Sequence, residues 1–255
     1  MNRAVQSKLA GLSIVALAVV SGAARAELTS TITIATDYDF RGITQTALDP
    51  ALQASLDWSG ESGLYAGVWA SNVDFGRDGG EGKGYDEVDL DAEVDFTLGY
   101  AGSITEDLGY DVGATYYKYI GDTDGGVNDF DYYEVYAGLG YRAVSAKLWY
   151  SPDFANASES AWYIEANAEI PLPAEFGLVL HAGYNFGDYW KPEAFGLDEY
   201  FDYSIGLTRS FGHFDFTVSY IDGSDLKETD GTAGDIGTSE SKFHASVSTT
   251  FPWSR

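Results

Sequence analysis

Between Glu87 and Tyr100 the chain alternates strictly between apolar and polar side chains. The even positions from Val88 onward are apolar, and the odd positions are Asp89, Asp91, Glu93, Asp95, Thr97 and Gly99. Because successive side chains of a β-strand point to opposite faces, this segment predicts a strand with one apolar and one acidic face. An apolar face toward lipid and a polar face toward a wet lumen are typical of transmembrane β-barrel strands.

The same alternation recurs from one end of the chain to the other. We predict twelve strands, at residues 30–40, 50–58, 63–73, 87–100, 108–120, 131–141, 144–151, 161–170, 176–187, 200–211, 214–221 and 241–251. Bacterial single-chain barrels have an even number of antiparallel strands. We therefore expect an all-β fold, namely a single closed antiparallel transmembrane β-barrel of about 12 strands.

The connections between these segments alternate in length. Short connections such as residues 142–143 and 212–213 follow even-numbered strands, and long ones such as residues 121–130 and 222–240 follow odd-numbered strands. Outer-membrane barrels have short periplasmic turns and longer extracellular loops. Since the long connections hold many aspartates and glutamates, we expect the extracellular loops to be acidic. Aromatic residues near both strand ends match the two girdles at the membrane interfaces.

The N-terminal segment has the features of a secretory signal peptide. A cationic start precedes an apolar run from Leu9 to Val20 and a small-residue cleavage signal at residues 24–26. This run is too short for a spanning helix. We expect residues 1–26 to be cleaved on export and residues 27–255 to form one barrel domain, located in the bacterial outer membrane.

The amino-acid composition limits the kinds of molecule that the protein is expected to bind. Residues 1–26 hold three of the 14 basic residues and none of the 40 acidic ones, so 11 basic and 40 acidic residues remain and the rest of the chain carries a net charge of −29. Such acidity argues against binding nucleic acid, whose phosphates need lysine and arginine. There are no cysteines, which excludes disulfides and thiolate chemistry. We expect outer-membrane lipid and small hydrophilic solutes or cations as partners, and no cofactor.

The acidic face of the predicted strands defines a candidate pore lining. Arg41 and Lys147 are the cations on this face, and they are expected to pair with some of the acids. The candidate pore-lining residues are Asp37, Asp39, Arg41, Asp57, Asp89, Asp91, Glu93, Asp95, Asp111, Glu134, Lys147, Glu165, Glu169, Asp202 and Asp215. Two functions stay open: a porin with a narrow, weakly cation-selective lumen, and a structural or adhesive barrel plugged by ion pairs.

The sequence offers little support for a catalytic site or a metal site. The only histidines are His181 and His244, which fall on the polar face, and His213, which falls in a turn. No Gly-x-Ser-x-Gly nucleophile motif accompanies them, so we do not expect an enzyme. Residues 122–125 and 222–225 resemble fragments of calcium loops without a full ligand series, and we expect no metal site.

Several stretches resemble a known family. Residues 36–46 read TDYDFRGITQT, residues 62–75 read SGLYAGVWASNVDF, and residues 131–138 and 146–154 read DYYEVYAG and AKLWYSPDF. These stretches are similar to the TorF family of porins, and the likeness extends over nearly all of the chain after the signal peptide. The resemblance implies an outer-membrane barrel with pore activity. The chain departs from the usual aromatic end of such barrels, since four residues follow Phe251.

Overall fold

The computed structural model describes residues 26–74, 89–122, 130–191, 198–224 and 240–253. Within these ranges the strands are β1 Glu27–Ala35, β2 Asp39–Phe40, β3 Ile43–Thr44, β4 Ala51–Ser59, β5 Leu64–Asn72, β6 Asp89–Ser103, β7 Leu108–Asp122, β8 Tyr132–Tyr141, β9 Val144–Ser151, β10 Ala161–Pro171, β11 Phe176–Phe186, β12 Tyr200–Phe211, β13 Phe214–Ser224 and β14 Lys242–Phe251. Two three-residue 3-10 turns lie at Phe154–Asn156 and Pro173–Glu175. In the part of the chain described, no helix has the length and apolar character needed to cross a membrane.

Twelve of the described strands form one closed barrel, which confirms the predicted fold class. Each strand pairs antiparallel with its neighbour in the chain, except that β4 follows β1 around the wall because β2 and β3 form a separate hairpin. The barrel closes where β1 pairs with β14, from Ser30 opposite Phe251 to Ala35 opposite Ser246. Closure pairs the backbone groups of both edge strands and leaves no open sheet edge.

The two ends of the barrel differ in their connections. At one end, called the turn end here, the links are short, as at residues 142–143 and 212–213. At the other end, called the loop end, the links are longer and include residues 36–50 and 152–160. The predicted alternation of connection lengths is confirmed. Many of the loop acids, at residues 123–129 and 225–239, lie outside the described residues, as does the predicted signal peptide up to Arg25.

The barrel is apolar on its outside and polar on its inside. Strand β8 shows this most simply, since its side chains alternate between buried and exposed along its whole length. Glu134 is fully buried in the interior, whereas Val135 and Leu139 are about half exposed on the outer wall. Similar outward side chains on other strands include Leu52, Leu56, Phe96, Leu98, Ile164, Ile205, Leu207, Phe216 and Val218. A contiguous apolar band of this extent matches a lipid-facing surface.

The predicted side-chain orientation is wrong at the start of β6. On β6 the pairing with β7 shifts register between Leu90 and Ala92. A β-bulge of this kind adds one residue to a strand and reverses the faces beyond it. Leu90, predicted to face lipid, is therefore buried with Tyr38 and Val73, and Asp91, predicted to line the pore, is exposed.

The first predicted strand, residues 30–40, is also corrected. Strand β1 starts earlier and ends at Ala35, which pairs with Ala51 of β4. Residues 36–50 leave the barrel wall, and their buried part folds into the lumen, so Asp37, Asp39 and Arg41 lie on an inward segment rather than on the wall. The alternation of residues 36–40 fits a strand, and the contacts that turn this segment inward come from distant strands.

Candidate functional site in the barrel lumen

The inward hairpin, defined as residues 37–46, is the central feature of the lumen. Strands β2 and β3 pair through Asp39 opposite Thr44 and Phe40 opposite Ile43. The two residues between them, Arg41 and Gly42, both have positive φ, at 54° and 83°. Positive φ at both central residues is the geometry of a type I′ turn, which matches the twist of paired strands. The Gly42 amide also donates to Asp39 Oδ1 at 3.0 Å.

The hairpin crosses the lumen from β1 and β4 to the opposite wall. The Tyr200 hydroxyl of β12 donates to the carbonyl oxygen of Arg41 at 3.0 Å. A Cβ atom added at Gly42 would lie 2.8 Å from Cβ of Asp202, also on β12. Glycine therefore allows the tip of the hairpin to touch the far wall directly.

The side chain of Arg41 is held on that far wall. Its Nη2 atom donates to Glu134 Oε2 of β8 at 2.5 Å, and both side chains are almost fully buried. The guanidinium carbon lies 4.2 Å from the ring centre of Tyr163 and 5.8 Å from that of Trp149. Arginine stays charged in proteins, so this contact combines an ion pair with cation–π attraction.

The base of the hairpin is tied to the near wall. Lys242 of β14 forms ion pairs with Asp37 Oδ2 at 2.5 Å and Asp39 Oδ2 at 2.9 Å. The hydroxyls of Thr44 and Thr46 donate to Asp37 Oδ1. These bonds satisfy both carboxylate oxygens of Asp37, which is buried.

Aromatic side chains fill the loop half of the lumen around the hairpin. The rings of Tyr117 and Tyr132 stack with centres 4.4 Å apart, and Phe154 and Trp190 pack in the same cluster. The Tyr117 hydroxyl donates to Glu134 Oε2 at 2.9 Å. The sequence analysis assigned aromatic residues to girdles on the outside of the barrel. It missed this inward aromatic cluster, although Tyr117 and Tyr132 lie on the polar face of their strands.

The loop that carries Trp190 also contains an exposed ion pair between Asp188 and Lys191. Asp188 accepts hydrogen bonds from Lys191 and from the Ser160 hydroxyl. Those bonds hold the pKa of Asp188 below its ordinary value. The carboxylate therefore stays charged at neutral pH beside the aromatic cluster.

Two further carboxylates on the barrel wall have close partners. Lys147 Nζ forms an ion pair with Asp111 Oδ2 at 2.9 Å, and His181 Nε2 lies 2.7 Å from Asp202 Oδ1. The Tyr65 hydroxyl donates to Asp111 Oδ1 at 2.6 Å. Each of these carboxylates therefore has a nearby donor or cation that offsets part of its charge.

Three carboxylates at the turn end lack such partners; they are called the turn-end acids here. They are Asp57 on β4, Glu169 on β10 and Asp215 on β13. Among the described residues none of them forms an ion pair, and Asp57 and Asp215 accept only from serine hydroxyls. Asp57 is exposed, and Glu169 and Asp215 are partly exposed. They spread around the mouth because their strands are separated in the barrel order.

The structure brings most of the predicted pore-lining residues together inside the barrel. Buried there are Asp37, Glu93, Asp95, Asp111, Glu134, Glu165 and Asp202, and largely buried beside them are Asp39, Arg41 and Lys147. Asp91 faces outward, and the side chain of Asp89 lies outside what the structure describes. Lys242 is an inward cation that the sequence reading missed, although it shares the face assigned to His244.

Within the described ranges no group of three or more histidine or carboxylate side chains is close enough to hold a metal ion.

Comparison with known proteins places this barrel in a family and a fold group. Residues 20–251 match the profile of a family described as bacterial protein of unknown function (Gcw_chp), and the chain belongs to that family. A search of curated proteins finds no match.

Solved porins share the fold. A KdgM porin is 8% identical with a TM-score of 0.51, covering 88% of this chain and 99% of that one. A NanC porin is 9% identical with a TM-score of 0.55, covering 89% of this chain and 100% of that one. A second KdgM structure, in complex with disordered oligogalacturonate, has a TM-score of 0.52 at 8% identity, covering 88% and 98%. At these identities the likeness is one of fold.

Proposed function

We propose that this protein is an outer-membrane porin that passes small hydrophilic solutes and prefers cations. The observation that carries the proposal is the inverted barrel, which is apolar outside and acidic inside. In the described residues, eleven inward carboxyl side chains face three inward lysine or arginine side chains. The likeness in fold to the KdgM and NanC porins supports the proposal, as does the resemblance to the TorF family.

The acidic lining suggests which solutes pass. Wet carboxylates raise the local concentration of cations and repel anions. Salt screens the effect, with a Debye length of about 10 Å at 0.1 M. We therefore propose weak cation selectivity that fades as salt rises. Residues 1–26 would direct export and be removed during it. Outer-membrane lipid would be the partner of the outer wall.

A structural barrel is the second candidate, and the inward hairpin is the observation that favours it. Twelve strands lie between the small barrels filled by side chains and the sixteen-stranded porins with aqueous channels. The hairpin and the aromatic side chains packed around it, such as Tyr117 and Tyr132, narrow the loop half of the lumen further. A permanently filled lumen would make the protein a surface scaffold rather than a channel.

Planar-bilayer recording of the refolded protein separates the two candidates. The porin proposal predicts discrete conductance steps from protein whose migration on a denaturing gel changes on heating, as expected of a folded barrel. Folded protein that never conducts, at any applied voltage, would support the structural barrel instead. A lipid-hydrolysis assay on the same sample tests for enzyme activity, which we do not expect.

A further inference from the structure

The inward hairpin is anchored unequally at its two ends. Its base is fixed by Lys242, which bridges Asp37 and Asp39, and by His244 Nε2, which lies 3.0 Å from the carbonyl oxygen of Asp37. Its tip is held mainly through Arg41, which pairs with Glu134 and lies over the Tyr163 ring, and whose carbonyl accepts from Tyr200. Loss of the Arg41–Glu134 ion pair would therefore weaken the attachment of the tip while the base keeps its ion pairs with Lys242.

The inserted tip also leaves polar atoms unsatisfied. Arg41 Nη1, Glu134 Oε1 and Asp202 Oδ2 are buried without a hydrogen-bond partner in the structure. A buried polar group without a partner carries a desolvation penalty. This penalty opposes insertion and offsets part of the attraction between Arg41 and Glu134.

Backbone strain next to the hairpin also opposes insertion of its tip into the lumen. Ala47 and Leu48, where the chain returns to the wall, have φ values of 51° and 64°. Non-glycine residues rarely adopt this conformation because it is sterically costly. Two such residues in a row next to the hairpin give this segment a reason to rearrange when the tip is released.

From these contacts we propose that the inward hairpin is the gate of the pore and that the Arg41–Glu134 ion pair is its latch. With the latch formed, the tip rests on β12 and obstructs the lumen. With the latch broken, the tip moves off the far wall and opens the path, while Lys242 retains the base. The proposal rests on the porin function proposed above and adds its means of regulation.

A matched pair of variants tests the latch in single-channel recordings. Glu134→Gln removes the charge that holds Arg41 while keeping side-chain size, and we expect the open probability to rise several-fold. Asp107→Asn makes the same change of charge in the ion pair between Asp107 and Arg142, which lies in the short links of the turn end, away from the hairpin. This control is expected to keep the open probability of the natural protein.

A hairpin deletion separates failure of the gate from failure of the pore. Ala35 and Ala51 are directly paired, so residues 36–50 can be replaced by Asn-Gly, which forms a two-residue turn. We expect this variant to conduct continuously, with larger steps than the natural protein.

Each outcome decides one of the two proposals. If the deletion variant conducts but Glu134→Gln opens no more often than Asp107→Asn, the latch is overturned and the porin function stands. If the folded deletion variant does not conduct, the porin function fails and the gate fails with it. If the deletion variant does not fold, the comparison of the two point variants alone decides whether the latch is correct.

Discussion

For single residues, the position of each carboxylate would decide its effect on ions in the proposed pore. Glu134, Asp111 and Asp202 lie beside cations or histidine, whereas the turn-end acids do not. An acid that is paired with a cation contributes little net field at a distance. The turn-end acids are therefore expected to supply much of the selectivity, because they are both unpaired and wet.

Neutralising the turn-end acids tests this expectation. The triple variant Asp57→Asn, Glu169→Gln and Asp215→Asn should move the reversal potential in a salt gradient toward the value of an unselective pore. Asp91→Asn is the control, since Asp91 carries the same charge on the outside of the barrel. A triple variant with the selectivity of the natural protein would show that other groups select the ions.

Neighbouring residues on one strand should differ sharply in their tolerance of charge. Phe96 is 49% exposed on the outer wall, whereas Thr97 points inward and its hydroxyl lies 3.0 Å from that of Thr115. Phe96→Arg should cost about 2–4 kcal/mol of folding free energy in lipid if it lies near the bilayer midplane. Thr97→Arg should cost far less. Equal costs, measured by denaturant unfolding from vesicles, would contradict the assigned facing.

The residue-level lining was predictable where strand alternation is unbroken. Asp95, Glu134 and Asp202 are inward as the pattern indicates, because a period of two needs only local sequence. Asp91 was misplaced because a β-bulge leaves no mark in an alternating sequence. Lys242 could have been identified from its position two residues before His244.

At the scale of elements, the barrel strands were predictable and the hairpin was not. Twelve alternating segments correspond to the twelve barrel strands, with bounds that differ by a few residues except at β1. The hairpin depends on contacts with β8, β12 and β14, which are far apart in the chain. Only the Arg41–Gly42 pair is a local sign of a turn.

Glycine substitutions test the contact between the hairpin tip and the far wall. Gly42→Ala must accept a φ of 83° and a Cβ contact of 2.8 Å with Asp202. The conformational part alone should cost about 1–2 kcal/mol. Gly212→Ala is the control, because Gly212 has a φ of 65° and nothing within 4 Å of an added Cβ.

The difference between these two variants measures the contact itself. We expect Gly42→Ala to lower the unfolding free energy more than Gly212→Ala does, as followed by denaturant titration in lipid. Equal losses in the two variants would mean that the hairpin tip does not rest on β12 in the folded protein.

At the scale of the whole molecule, charge and fold point to one direction of selection. The chain carries a formal net charge of −26, and carboxylates predominate on both the inner wall and the turn-end mouth. An acidic oligosaccharide should therefore be repelled, in contrast to the oligogalacturonate present in one KdgM structure. Small cations and neutral solutes are the expected permeants.

The sign of the reversal potential in a salt gradient decides whether the lumen selects cations. With potassium chloride more concentrated on one side of a planar bilayer, we expect a modest potential of the sign that indicates cation preference. We also expect this potential to shrink as both salt concentrations rise at a fixed ratio. A potential of the opposite sign, which indicates anion preference, would show that the inward carboxylates do not control the permeant.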